Sequence, residues 1–317
     1  MVAAAVATLA LLLPVQVLSS RPLLLAERFL PGAGFAQALL LAGYAAFLAH
    51  RMLDPRRSGT WRRRSWLLFS VVFYGQLALG MLGLDRFLMT GVLHVPVPAV
   101  IAGGPAFRGE GFFMPILFGS TLLLSGPAWC SHLCYLGAWD ALAASRRRRP
   151  GALPAWRRWF QPAMLLATVA TGFALRAADA SPASAAAVGI GFGGAGLAVM
   201  AWASRWRGAM VHCTVFCPIG WLATRLGRVS PFRLRLADAC DGCGACATAC
   251  RYGALEKADI ARRRAGPSCT LCGDCVKACR HGYAQIRFPG LRPDRSRALF
   301  LVVVIALHAA FLGVARV

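Results

Sequence analysis

The sequence predicts a polytopic all-α membrane protein of about seven transmembrane helices, with a smaller α+β domain inserted ahead of the last span. Three observations carry this. The 317 residues are 58% hydrophobic, with mean hydropathy +0.58, yet hold 35 basic residues against 12 acidic for a net charge of +23. Apolar runs of 17 to 21 residues recur, about the length a helix needs to cross ~30 Å of hydrocarbon. All twelve cysteines lie between residues 130 and 279, in four tight spacings. A soluble domain keeps most of its charge-poor apolar surface inside and could not hide this much. A nucleic-acid binder would explain the charge but not the hydropathy, and disorder requires low hydrophobicity. The expected partner is therefore membrane lipid, and no nucleic acid.

The seven runs are 2–19, 32–49, 65–84, 111–129, 159–175, 184–204 and 298–315. Arginines orient them by the positive-inside rule. The loop at 51–64 holds Arg51, Arg56, Arg57, Arg62, Arg63 and Arg64, and the loop at 137–158 holds Arg146, Arg147, Arg148, Arg149, Arg157 and Arg158. The segment 85–110 between them has only Arg86 and Arg108 and faces outward, as an external loop or a re-entrant piece. This gives a cytoplasmic N-terminus, with the first run an uncleaved helix rather than a signal peptide, because it lacks a basic leader. It also gives an external C-terminus and one large cytoplasmic segment at 205–297. The expected domains are an N-terminal transmembrane hairpin (1–60), a four-helix membrane core (61–228), the inserted domain (229–290) and a C-terminal transmembrane helix (291–317). Gly191, Gly193 and Gly196 form a G-x-G-x-x-G match, but inside an apolar run with no acidic residue until Asp238. Small residues packing helix on helix account for it better than a nucleotide site.

The inserted segment carries the clearest chemistry. Cys240, Cys243, Cys246 and Cys250 are spaced C-x2-C-x2-C-x3-C, and Cys269, Cys272, Cys275 and Cys279 repeat that spacing. This is the bacterial ferredoxin pattern, in which the fourth cysteine serves the other cluster. The expectation is two [4Fe-4S] clusters, one on Cys240, Cys243, Cys246 and Cys279, the other on Cys269, Cys272, Cys275 and Cys250. The fourth cysteine of each run is expected to begin a helix. Two zinc knots are the alternative for such a donor set, but they usually separate two C-x2-C pairs by a longer loop. The alternating stretches Phe232–Leu236 and Gln285–Phe288 are expected to pair as first and last strands of a ferredoxin-like fold. Arg251 and Arg280 follow the fourth cysteines, where such runs usually carry proline; cations there would raise the cluster potentials.

Two C-x3-C pairs remain: Cys130 with Cys134 and Cys213 with Cys217. On a helix, positions i and i+4 share a face, so each pair would present two sulfurs in one direction at the cytoplasmic end of a span. Three readings stand: a third metal centre, a thiol or disulfide relay, or packing elements of the fold. His132 and His212 adjoin the pairs and His50 ends the second run; capping is the default role for each. His308 lies inside a span, where a polar group is costly.

The residues Trp129 to Gly137 (W-C-S-H-L-C-Y-L-G) and Cys213 to Gly220 (C-T-V-F-C-P-I-G), followed by the runs at 240–279, resemble the polyferredoxin membrane proteins of the NapH/NosR group. These are related to the quinol-dehydrogenase subunit of periplasmic nitrate reductase and the nitrous oxide reductase regulator. The resemblance covers roughly residues 65–290; Tyr135 replaces the first motif proline. It implies a bacterial inner-membrane protein relaying electrons between the quinone pool or a cytoplasmic donor and an extracytoplasmic redox system. Quinone and the redox proteins of a periplasmic reductase or metalloenzyme are then its partners. The alternative is an accessory, maturation or redox-sensing protein that supports an extracytoplasmic metalloenzyme.

Overall fold

The computed structural model describes residues 1–88 and 95–314. In chain order its helices are α1 (Val2–Leu18), α2 (Ala33–Leu53), α3 (Pro55–Met81), α4 (Val100–Arg108), α5 (Phe113–Ser125), α6 (Tyr135–Ala144), α7 (Arg157–Ala177), α8 (Pro182–Val199), the single turn α9 (Arg205–Arg207), α10 (Pro218–Leu226), α11 (Ala245–Ala249), α12 (Lys257–Ala261), α13 (Asp274–Ala278) and α14 (Pro293–Val314). Two short strands, β1 (Arg233–Leu236) and β2 (Ala284–Arg287), complete the list.

A helix occupies each of the seven apolar runs. Four segments are long and apolar enough to cross a bilayer: Ala33–Leu53, Phe113–Leu133, Pro182–Arg207 and Pro293–Val314. The other three fall short by length or charge. Helix α1 has 17 residues, α3 begins with the Arg-rich stretch 56–64, and α7 includes Arg157, Arg158 and Arg176. The last run ends at residue 315 and the outward segment includes 89–94, both outside the described residues.

The chain divides into two units. One comprises residues 1–94 and 290–317, the other residues 95–289. The first is a bundle of α1, α2, α3 and α14, so α3 groups with the terminal helices and not with the helices that follow it. Asp54 starts α3, its carboxylate accepting from the Arg56 amide at 2.9 Å, with Pro55 at the first helical position, where a missing N–H costs nothing. Arg297 on α14 donates to the carbonyls of Met52 and Leu53 at the end of α2, satisfying groups the helix itself leaves open. His308, 3% exposed, sits 3.1 Å from the Tyr44 hydroxyl through Nε2 and packs edge-on against Phe69. Its polarity is met inside the bundle, which explains how a span tolerates it. The bundle contains no cysteine.

The second unit builds outward from α4, α5, α7 and α8. Helix α4 is too short to span; Gly103 and Ala106 on it approach Gly172 of α7 so closely that a Cβ there would meet the Gly103 carbonyl at 2.7 Å. Gly196, from the G-x-G-x-x-G match, lies where a Cβ would meet the His212 ring at 2.7 Å. The match is thus a packing surface. Strands β1 and β2 pair antiparallel, Arg233 opposite Arg287 through Leu236 opposite Ala284, as the alternation of 232–236 and 285–288 predicts. Leu234, Leu236, Ala284 and Ile286 face inward, closing a small domain around the two long cysteine runs.

Candidate metal centres

The two ferredoxin-type runs fold alike. After the first cysteine the backbone turns through a left-handed residue, Gly242 in the first run (φ 75°) and Leu271 in the second (φ 52°). Leucine there costs on the order of 1–2 kcal/mol, yet its side chain is 3% exposed and lines the cavity beneath its run. After the second cysteine Gly244 (φ 75°) and Gly273 (φ 78°) turn the chain into α11 and α13. Each short helix carries the third cysteine, Cys246 or Cys275, both buried. The fourth, Cys250 or Cys279, follows the helix in extended conformation (ψ 95° and 104°). The fourth cysteine therefore ends a helix where the sequence suggested that it begins one; five residues complete one turn and leave it facing away from its own run.

That exit carries Cys250 across. Cys250, Cys269, Cys272 and Cys275 line one small cavity, with Leu234, Tyr252, Leu255 and Leu271. Burial pushes the Cys269 thiol up to about 12, with Cys250 adding repulsion and the Leu271 amide opposing. Cys275 is pushed up by burial and by Cys272, Cys269 and Cys250. The Cys250 thiol is also raised by burial, against the Ala254 amide that donates to its sulfur at 3.3 Å. Four crowded thiols of this kind give up their protons when a cationic centre replaces them, and amides aimed at sulfur stabilise the thiolates. The donor set fits an iron–sulfur cluster. On the other side Cys246 lies within electrostatic reach of Cys240 and Cys279, and burial raises its thiol too. Cys243 is exposed, its amide donating to Asp241 at 3.2 Å. The structure thus gathers Cys240, Cys246 and Cys279 apart from Cys250, Cys269, Cys272 and Cys275.

Arginine neighbours differ from expectation. Arg251 turns its guanidinium onto the carbonyls of Ala144, Arg147 and Gly208, at the ends of α6 and α9, so it docks the cysteine domain. Met210 donates its amide to the Arg251 carbonyl at 2.9 Å, and Arg157 at the start of α7 donates to Gly253 at 3.1 Å. Arg263, which the sequence did not single out, donates to the carbonyls of Ala237 and Cys240, both at 2.9 Å. The signal for it was available in the run Arg262–Arg264, which is more charge than one short loop needs for topology.

The C-x3-C pairs repeat each other in shape. A π-helical turn spans Trp129–Leu133 and another His212–Phe216, a form common at functional sites. Cys134 and Cys217 then leave the helix in extended conformation (ψ 113° and 117°) and lead into α6 and α10. Neither pair is the α-helical i, i+4 face that the spacing suggests, because the wider turn and the extended residue re-aim the second sulfur. The amides of Leu136 and Gly137 point at the Cys134 sulfur, and those of Ile219 and Gly220 at the Cys217 sulfur. All four cysteines, with Trp129, Leu136, Gly137, His212 and Gly220, line a single small pocket. Sequence reasoning did not find its supports. Asp140, fully buried, accepts from the Cys213 amide at 3.0 Å, and Gln161 donates to the carbonyls of Cys213 and Cys217, both at 2.9 Å. Asp140 is the one acidic residue in an Arg-rich loop, and Gln161 is a polar residue in an apolar run; those oddities were the available signals. Among the described residues no three His, Cys, Asp or Glu side chains converge tightly enough for a single metal ion. His50 and His308 belong to the other unit.

Comparison with known families agrees with this chemistry. A model described as a 4Fe-4S binding domain matches residues 110–152, and another 4Fe-4S binding domain model matches residues 236–256. No curated protein and no solved structure matches the chain. These matches support an iron–sulfur protein of ferredoxin type, and the chain has four helices long and apolar enough to cross a membrane.

Proposed function

We propose that this chain is a multi-pass electron-transfer protein of the bacterial inner membrane, its ferredoxin domain on the cytoplasmic face. It relays electrons between the quinone pool or a cytoplasmic donor and an extracytoplasmic redox system. The observation that carries this reading is the docking of the two-run cysteine domain, through Arg251, Arg157 and Met210, onto the loops that end α6, α7 and α9. A carrier that diffused freely would have no need of such a clamp.

Cys240, Cys243, Cys246 and Cys279 hold one [4Fe-4S] cluster, and Cys269, Cys272, Cys275 and Cys250 the other; when bound, each supplies one-electron transfer. The chain's own groups set the conditions. Amides of Leu271 and Ala254 stabilise thiolates, Leu234, Tyr252 and Leu255 exclude water, and Arg263 fixes the backbone at Cys240. The asymmetry of arginine between loops supports the orientation. So do Trp156, Trp159, Trp202 and Trp206, all exposed and set beside Arg157, Arg158, Arg205 and Arg207 at the same ends of α7 and α8, as interfacial aromatic anchors are. In this reading α1, α3 and α7 join the four apolar helices to make seven spans. The quinone end and the extracytoplasmic partner follow from the resemblance to the NapH/NosR group.

The test uses the full chain in sealed vesicles. Inside-out vesicles should allow an impermeant reductant to produce the spectroscopic signal of reduced [4Fe-4S] clusters, whereas right-side-out vesicles should not. Added quinol should reduce the same clusters. Clusters that answer only from the outer face overturn the orientation, and clusters that stay oxidised with excess quinol overturn the quinone link.

A further inference from the structure

We propose that Cys130, Cys134, Cys213 and Cys217 together hold a third [4Fe-4S] cluster, beside the one carried by Cys250, Cys269, Cys272 and Cys275. This goes beyond the reading above, which needs only the eight ferredoxin cysteines.

The argument begins with donor count. The family model that matches residues 110–152 encloses two cysteines, Cys130 and Cys134, and two thiolates do not complete a cluster. Folding brings the missing two, Cys213 and Cys217, from about 80 residues away to the same cavity. The four sulfurs arrive as two copies of one device. Each copy is a π-helical turn, an extended cysteine, and a helix of nine or ten residues whose first amides face that cysteine's sulfur. Amides directed at thiolate sulfur are how iron–sulfur sites tune and hold their ligands.

Size selects the occupant. Four thiolates on one zinc ion, with bonds of ~2.3 Å, must stand roughly 3.8 Å apart. No three ligand side chains among the described residues are gathered that closely. The four cysteines instead line one pocket together, as the ferredoxin cysteines Cys250, Cys269, Cys272 and Cys275 do. Its walls are built to stay put. Gln161 ties the carbonyls of Cys213 and Cys217 together, and Asp140 holds the Cys213 amide. At Gly220 a Cβ would strike the Cys213 carbonyl, so only glycine lets α10 lie against the Cys213 backbone. Packing elements alone would not require four thiols around one pocket.

Position gives the cluster a neighbour. Ser131, next to Cys130, donates its hydroxyl to the Thr270 carbonyl at 2.7 Å, and Thr270 is next to Cys269. The two four-cysteine cavities are therefore joined by a single hydrogen bond between residues that flank a ligand of each.

The test is iron and acid-labile sulfide per chain, measured on the full protein purified without oxygen in detergent, with Mössbauer spectra. About twelve irons are expected, falling to about eight in Cys130→Ser and Cys213→Ser, with the ferredoxin signals kept. In the reverse variant, Cys243→Ser with Cys272→Ser, a cluster signal should persist, which guards against loss by misfolding of the first pair. Wild-type protein with about eight irons overturns the third cluster and leaves the ferredoxin reading standing, as would recovery of these four cysteines as two disulfides. About ten irons, or one zinc per chain, overturns the cubane. About four or none overturns the ferredoxin reading itself.

Discussion

The ferredoxin-type runs and the C-x3-C pairs draw on the same side chain, but their information sits at different distances. In a run, three of four ligands come from seven consecutive residues, and Gly242 or Leu271 with Gly244 or Gly273 turns the backbone locally. In the C-x3-C cavity each pair meets a partner pair some 80 residues away. Local sites tolerate errors elsewhere in the chain. The non-local site depends on Asp140, Gln161 and Gly220, none of which carries a metal-binding signature. A second contrast runs between the units: one holds every cysteine, while the bundle of α1, α2, α3 and α14 holds none and is stabilised by packing and a few buried polar pairs.

The largest effect should come from Cys275→Ser, which removes a buried ligand from the better-enclosed ferredoxin site. Iron should fall by about four per chain, and the domain should lose protease resistance because metal binding and folding are coupled. The bundle of terminal helices should keep its resistance; if both units become sensitive together, the contrast between them fails. Next is Arg251→Ala, which strips the carbonyls of Ala144, Arg147 and Gly208 of a charged donor. A loss of about 1.5–3 kcal/mol is expected, read as earlier thermal bleaching of the clusters with iron content unchanged at low temperature. Unaltered bleaching would show that docking does not rest on this residue.

Gln161→Leu sharpens the comparison within the second unit. It leaves the carbonyls of Cys213 and Cys217 unpaired in a buried place, at a cost of about 1–3 kcal/mol. Alkylation of Cys217 in the native protein should accelerate, while that of Cys275 stays slow. Equal acceleration at both would mean that the cavities are not independent. The smallest effect belongs to Tyr44→Phe, which takes the hydroxyl from His308. Thermal unfolding of the full chain should drop by about 0.5–1.5 kcal/mol, with the iron content and cluster spectra untouched. A change in the spectra would give His308 a part in redox chemistry that its hydrogen bond does not suggest.

Much of this molecule was legible in its sequence because the relevant physics acts over short stretches. A run of 17 to 21 apolar residues forms a helix, and helices fill all seven such runs. Alternation at 232–236 and 285–288 predicts two strands, and strands at 233–236 and 284–287 do pair. At two of the three glycines of the Gly191 to Gly196 match the packing reading holds, Gly193 lying against Val97 and Gly196 against the His212 ring, while Gly191 faces open space. Where local reasoning failed, the competing force was tertiary. Arg251, expected only as a cation beside a cluster, also ties down carbonyls at two helix ends. The C-x3-C pairs looked like helical faces, but a π-helical turn and an extended cysteine serve them better, because each second sulfur can then meet helix amides.

The amino-acid order by itself determined the apolar helices, the ferredoxin-type spacing and the asymmetry of charge, all of which are properties of neighbouring residues. Only the tertiary structure decided that Cys130 and Cys134 share a cavity with Cys213 and Cys217, by chain reversals that no spacing encodes, whereas the ferredoxin spacing already assigned Cys250 to Cys269, Cys272 and Cys275. Neutral thiols bury readily; what folding adds is convergence, because it sets buried sulfurs from distant parts of the chain around one space.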